Sequence, residues 1–389
     1  MSVTSHSEAP PCERVQTRTC ERREATECWI TVTAVPDASA DIAASLLFED
    51  AARTLATLGV QTLQEKIYGV VEARETTLRA RQAAYRASGI DGEIPPTFLH
   101  GAPAAGGALA GLQIWGYIPR GDAARMETVN HQGRPVGRRL VTAAGSLLHL
   151  PCITGGAGEI ASADGVTTQA RRMFERAAAL LADHGLTFDQ VARTWIYMSR
   201  LLHWYGELNR VRTTFYAAHR SAGPYPASTG IQGRNGDEEC VMDVLATTSE
   251  GGRGFQATPL LSTSRQGPAF AYGSSFSRGI SLGLDGWQTV FISGTASIGP
   301  DGKTRYIDEP DAQIVETLMN VAAVIDPLGG GLGDICSSTL FLKSADSLPL
   351  YRQACHLLGV PDFPMVAVIA DVCRPDLLVE MEAVALLPK

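Results

Sequence analysis

The 389-residue chain is 45% hydrophobic with a net charge of −8: ample material for two or three domains, and the wrong sign for a general nucleic-acid or anionic-membrane partner. No apolar run is long and unbroken enough to span a bilayer, and the N-terminus lacks the basic-then-apolar pattern of a secretory signal, so a cytoplasmic location is expected. The eight cysteines include no C-x-x-C pair and the eight histidines are scattered, which predicts free thiols and no metal site.

Residues 1–28 are polar and rich in Ser, Thr, Glu and Arg, the composition of a disordered tail. Residues 29–35 read as a first strand. An order of helix, strand, helix and Pro-led strand then appears three times. The first copy has helices at 40–58 and 76–88 around a strand at 65–72. The second has helices at 169–184 and 205–221 around 191–198. The third has helices at 312–325 and 348–358 around 335–342. Each second helix holds a tyrosine: Tyr85, Tyr216 and Tyr351. Expected boundaries are 29–150, 151–248 and 268–389, with a Gly/Ser/Thr-rich surface linker at 249–267. Helices between strands on one sheet face make an α+β unit. Ile153-Thr154-Gly155 and Ile292-Ser293-Gly294 read as matching glycine turns ahead of the second and third copies.

The last strand carries the strongest chemical signal. Leu378, Glu380, Glu382 and Val384 fall on one face, and Val379, Met381, Ala383 and Ala385 on the other. Two carboxylates in an apolar strand are costly to bury. A buried carboxyl with a raised pKa is a general acid near neutral pH. By alternation alone a solvated face is about equally expected, and Glu382 rivals Glu380. Arg193 lies in an apolar strand, where an unpaired charge is costly. Arg212 follows Tyr205 on a helix whose bland reading is a solvated face. Tyr197, Tyr205 and Tyr216 offer hydroxyls, although aromatic residues at such spacings are more often core. Thr229 and Gly230 sit beyond Pro226 and offer backbone and hydroxyl donors. The glycine run 329–333 lacks the Lys-Ser/Thr ending of a phosphate loop.

The repeat resembles the Rid (endoribonuclease L-PSP-like) superfamily on Ser293-Gly294, Tyr351, Pro364 and Glu380-Met381-Glu382. A narrower resemblance, to the chorismatases, rests on Arg193-Thr194-Trp195, Trp204-Tyr205, residues 226–230, 276–279 and 293–297, and Cys373 through Glu380. It covers residues 29–389 and is most specific from Arg193 onward. It implies three Rid-like units forming a pseudo-trimer in one chain, expected to be a monomer. It implies cleavage of the enolpyruvyl ether of chorismate with no cofactor. Glu380 and Cys373 match the catalytic positions, Cys373 as a group shaping the ring pocket without a covalent role. Arg193, Tyr197, Tyr205, Arg212, Tyr216, Thr229, Gly230, Gly279 and Glu382 match the substrate pocket, between the second and third copies. Cys373 and Gly279 match the 3-hydroxybenzoate-forming type, in which the ring's own 4-hydroxyl takes part. The rivals are a hydrolytic chorismatase giving a dihydroxycyclohexadiene carboxylate, a Rid-type imine deaminase, and a binding module without turnover. Leu112-Gln113-Ile114 stands where the first copy's acidic strand would be, so that copy is expected to complete the assembly without carrying chemistry.

Overall fold

The computed structural model describes residues 14–156, 163–221, 223–233, 238–250 and 253–389. The first unit contains β1 (Val15–Glu21), β2 (Ala25–Thr33), α1 (Ala40–Leu58), β3 (Gln61–Gly69), α2 (Arg74–Ala87), β4 (Thr97–His100), β5 (Ala102–Pro103) and β6 (Leu109–Pro119). The second contains β7 (Arg125–His131), β8 (Arg134–Thr142), β9 (Gly145–Thr154), α3 (Ala163–Ala182), β10 (Val191–Met198), α4 (Leu201–His219), β11 (Ala227–Gln232) and β12 (Cys240–Glu250). The third contains β13 (Arg253–Gly254), β14 (Gln256–Leu260), β15 (Gly279–Leu284), β16 (Trp287–Ala296), α5 (Pro310–Ile325), β17 (Ile335–Leu342), α6 (Ser347–Leu358), β18 (Met365–Ile369) and β19 (Val379–Pro388).

The chain is α+β, with three sheets ordered β1-β2-β6-β3-β4, β11-β10-β12-β9-β8-β7 and β14-β15-β16-β19-β17-β18-β5. Each repeat has the same kernel. One strand (β3, β10 or β17) pairs parallel with the strand after its helix, and antiparallel with the unit's last strand. Local signals set the helix ends. The Ser39 hydroxyl accepts the Ile42 N–H at the start of α1, and Gly59 ends it in the left-handed region at φ 70°. Pro310 opens α5, where its missing N–H costs nothing.

Alternation along the strands builds two kinds of core. One face of each sheet packs under its own helix pair, as with Val379, Met381, Ala383 and Ala385 against Ile314, Leu318 and Val321. The other faces meet in one central core that joins Trp29 and Trp115 of the first unit, Trp195 and Leu245 of the second, and Phe291 and Phe341 of the third. Trp29 and Trp115 stack with centroids 4.8 Å apart. The acidic side of β19 therefore points inward, toward the seams between units.

Three expectations need correction. Residues 14–28 are not a tail. Val15–Glu21 is an edge strand registered on β2 from Val15↔Val32 to Glu21↔Thr26, and its alternating polar residues are what an edge strand permits. Residues 1–13 lie outside the described residues. The span 249–267 is more than a linker, because β14 adds an edge strand to the third sheet and Phe255 is buried in the central core. Third, β7, β8 and most of β9 fill residues 125–154 where no element was expected. They form a hairpin turned at Gln132-Gly133, both at positive φ, and a return strand. No helix among the described residues is long and apolar enough to cross a membrane.

Because the three inner faces close on one another within one chain, light scattering is expected to give a mass near 41.4 kDa. A stable trimer of chains would show that the inner faces do not satisfy one another.

Candidate active site

The seam between the second and third units holds the candidate site. The strands that meet there are β11 and β16, from different sheets, tied by Ser228 N–H to Ser293 Oγ at 2.9 Å and by Gly294 N–H to Thr229 Oγ1 at 3.1 Å. A cavity opens beside them. The second unit lines it with Tyr205, Arg212, Ser228 and Gly230. The third unit contributes Tyr272, Ser274, Phe276, Arg278, Gly294, Ala296, Ile298, Cys373, Arg374 and Glu380.

Local structure aims these groups. Trp204 breaks the helical geometry of α4 (φ −146°), and its indole N–H donates to Ser199 O at 2.9 Å. Tyr205 follows that kink and turns its ring against Gly230, where a Cβ would stand 3.1 Å from the ring. Arg278 donates twice to Gly267 O, at 3.0 and 2.9 Å. Arg374 donates to Gly302 O at 2.8 Å and lies over the Tyr272 ring. Arg212 is buried on α4, bonded to Asn209 Oδ1 at 2.5 Å and Ser228 Oγ at 3.4 Å. Among the described residues none of these three arginines has a carboxylate partner. Three buried or half-buried cations without an internal anion prepare a site for a ligand with more than one negative charge.

Glu380 is 3% exposed. Among the described residues no hydrogen bond holds either of its oxygens. Burial pushes its pKa up to about 8, neighbouring Glu382 adds to the rise, and Arg193 opposes it. Glu382 goes the other way. Burial alone would raise it, but Lys66 and Arg193 hold it below the ordinary carboxylate range, with hydrogen bonds from Thr229 and Lys66. Arg193 Nη2 lies 3.1 Å from Glu382 Oε2, and Lys66 Nζ lies 3.4 Å from Oε1. Two carboxyl groups on one strand face are thus separated into an acid and an anion.

Strand register shows why only this seam has the acid. Phe341 faces Glu380, Tyr197 faces Val241 and Tyr68 faces Gly111, so the first two copies have no carboxylate at the matching position. The inner partners one step along are Gln113, Asp243 and Glu382. The same register corrects the glycine-turn match. Leu150↔Val244 and Ile153↔Met242 correspond to Ile292↔Ala383 and Thr295↔Met381, so Cys152, not Gly155, stands opposite Gly294.

Of the residues singled out by sequence, Glu380, Cys373, Tyr205, Arg212 and Gly230 come together at the cavity. Arg212 is 1% exposed, so the solvated-face reading does not hold. Arg193 sits behind the cavity, occupied by Glu382, by Thr229 Oγ1 at 2.5 Å and by Ser293 Oγ at 3.4 Å. Thr229 ties the seam from within. Tyr197 belongs to the central core and Tyr216 to the core under α3 and α4. Gly279 faces away from the cavity: a Cβ there would meet Phe291 O at 2.9 Å and Val324 Cγ1 at 3.1 Å, on the side of α5. Sequence reasoning passed over Arg278 and Arg374, although both lie in stretches it had quoted, 276–279 and the turn after Cys373. Lys66 was also missed; it brings the first unit into contact with Glu382, at 3.4 Å from Oε1. Burial pushes the Cys373 thiol up to about 12, which keeps it neutral and unsuited to nucleophilic attack. Among the described residues no group of three or more His, Cys, Asp or Glu side chains is placed to hold a metal.

A 3-hydroxybenzoate synthase of Streptomyces hygroscopicus is 26% identical over 259 residues, covering 59% of this chain and 73% of that protein. A chorismatase crystal structure superposes with a TM-score of 0.56 at 19% identity, covering 84% of this chain and 93% of that one. The chain is thus similar in sequence to a 3-hydroxybenzoate synthase and shares the fold of a chorismatase. No family model matches it.

Proposed function

We propose that this protein cleaves the enolpyruvyl ether of chorismate to pyruvate and 3-hydroxybenzoate. The observation that carries the reading is one cavity that combines three arginines without carboxylate partners among the described residues and a buried carboxyl that keeps its proton at neutral pH. Chorismate brings two carboxylates, and Arg212, Arg278 and Arg374 are the donors for them. Glu380 gives its proton to the terminal methylene carbon of the enol ether, and the adjacent carbon becomes an oxocarbenium ion. The ring 4-hydroxyl captures that carbon and loses its proton. The ring then loses its C3 proton as the C4–oxygen bond breaks, so it aromatises with the C3 oxygen retained. Collapse of the resulting hemiketal releases pyruvate carrying the former 4-oxygen. The products together have the atoms of chorismate, so no water is consumed. The thiol of Cys373 borders this space. The named product of the Streptomyces relative favours the aromatic branch.

The test is incubation with chorismate, a coupled pyruvate assay and chromatography of the organic acids. Equal amounts of pyruvate and 3-hydroxybenzoate are expected. A non-aromatic dihydroxy acid in place of 3-hydroxybenzoate would assign the hydrolytic branch. Ammonia from 2-aminoacrylate without pyruvate from chorismate would assign an imine deaminase. The working form of the acid is protonated, so kcat/KM is expected to hold at neutral pH and fall as pH rises through about 8.

A further inference from the structure

The first unit has glycine where the third has Glu380, yet it reaches the acidic strand through one side chain. Lys66 on β3 is buried, with Nζ 3.4 Å from Glu382 Oε1 and 4.2 Å from the centroid of the Trp195 ring. Arg193 on β10 takes the other oxygen of Glu382 at 3.1 Å. The two oxygens of Glu382 are therefore divided between cations from two different units. Glu380, two residues away on the same face, has no cation in contact among the described residues. Adjacent buried carboxyls do not ionise together readily, so near neutral pH the pair holds one proton.

We propose that Lys66 decides where that proton resides: by holding Glu382 as the anion it leaves the proton on Glu380, making Lys66 a positioning residue that the N-terminal unit contributes to the active site. The inference rests on the reading of Glu380 as the acid. Its surroundings narrow the roles open to Lys66. Besides Glu382 it faces Arg193, Trp195 and Tyr197 from β10, Asp243 from β12 and Gln113 from β6. Asp243 is already served by the Thr97 hydroxyl at 2.9 and 2.8 Å and the Cys152 N–H at 2.9 Å, with His149 at 3.7 Å. Among the described residues, Glu382 has only Lys66 and Arg193 as cations in contact. Loss of Lys66 leaves its carboxylate with half of its compensation, while the surroundings of Glu380 change little.

The experiment follows both carboxyls directly by carbon NMR of protein labelled at the glutamate δ-carbon, with the two signals assigned through Glu380→Gln and Glu382→Gln. In the unsubstituted protein at pH 7, Glu380 is expected to be protonated and Glu382 ionised. In Lys66→Met the proton shifts toward Glu382, and the Glu380 signal moves toward the ionised position. The pyruvate-forming kcat then falls roughly tenfold, the effect of about one pKa unit, with KM within about twofold. Lys66→Arg restores both readouts. Lys66→Gln keeps a donor without the charge, and repeats the test should the methionine variant fail to fold. Signals of Glu380 and Glu382 unchanged in both neutral variants would overturn the inference. If the signals move as stated but chorismate yields no pyruvate in any variant, the proton assignment stands and the proposed reaction falls. If chorismate is cleaved and the signals do not move, the reverse holds.

Discussion

Glu380→Gln is expected to reduce pyruvate release from chorismate by ~10²–10⁴-fold, the usual cost of losing a general acid. The amide fills the same space on β19 but has no proton to give at neutral pH. KM is expected to change little, because the three arginines of the cavity are untouched. The substitution also has a thermodynamic signature. The folded-state pKa of Glu380 is raised from 4.5 to about 8, so between those values the folded protein holds a proton that the unfolded chain releases. The stability this group contributes is therefore present below about pH 4.5. It is lost as pH rises, and it is gone above about 8. Glutamine does not titrate. The melting temperature of Glu380→Gln should gain on the unsubstituted protein from pH 5 to 8 and run parallel above that. A glutamine variant that cleaves chorismate at full rate, beside an inactive Glu382→Gln, would move the acid two residues along the strand. A flat melting difference across the same pH range would show that Glu380 does not hold its proton.

The inward direction of both glutamates was legible in the sequence, because strand alternation leaves no choice once Val379, Met381 and Ala383 pack under α5. Their division of labour was not. It depends on Lys66 and Arg193, 316 and 189 residues away along the chain, and no local pattern encodes such pairings. The helices and the strands β10 and β17 were legible because they are long, apolar and bounded by clear stops such as Gly59 and Gly359. The polar strands β1, β7 and β8 were not, since one face of each meets solvent and their composition resembles a loop. Arg278 and Arg374 look like loop charges in sequence. Only the fold shows that backbone carbonyls of Gly267 and Gly302 fix them at the wall of a cavity. Gly279 failed for the opposite reason. Its motif neighbours line the cavity, but alternation turns its own α-carbon toward Val324.

Gly294→Ala is expected to be the most damaging small substitution in the site. The backbone of Gly294 at the seam donates its N–H to Thr229 Oγ1 at 3.1 Å. A Cβ at this position would sit closer to Glu380 Oε1 than any real Cβ comes to an oxygen, and 3.1 Å from its carboxyl carbon. Thr229 Cγ2 would also lie tight against it, at 3.2 Å. The clash is steric and not conformational, because Gly294 is absent from the positive-φ glycines. The carboxyl must therefore swing out of line. Displacing a reacting group by about 1 Å can cost ~10²-fold in rate, and kcat is expected to fall by that order while the arginines continue to bind the substrate. The acid should also change in strength, since a Glu380 carboxyl pushed toward solvent loses the burial that raises its pKa. The alkaline limb of the pH profile is thus expected to shift to lower pH in the alanine variant. Gly279→Ala serves as the contrast: it places a methyl group against Phe291 O and Val324 Cγ1 on the α5 side, so it should cost stability without moving the pH profile. A Gly294→Ala protein with full activity and an unshifted profile would mean that Glu380 reaches the substrate from a different rotamer, and the geometry of proton delivery would have to be redrawn.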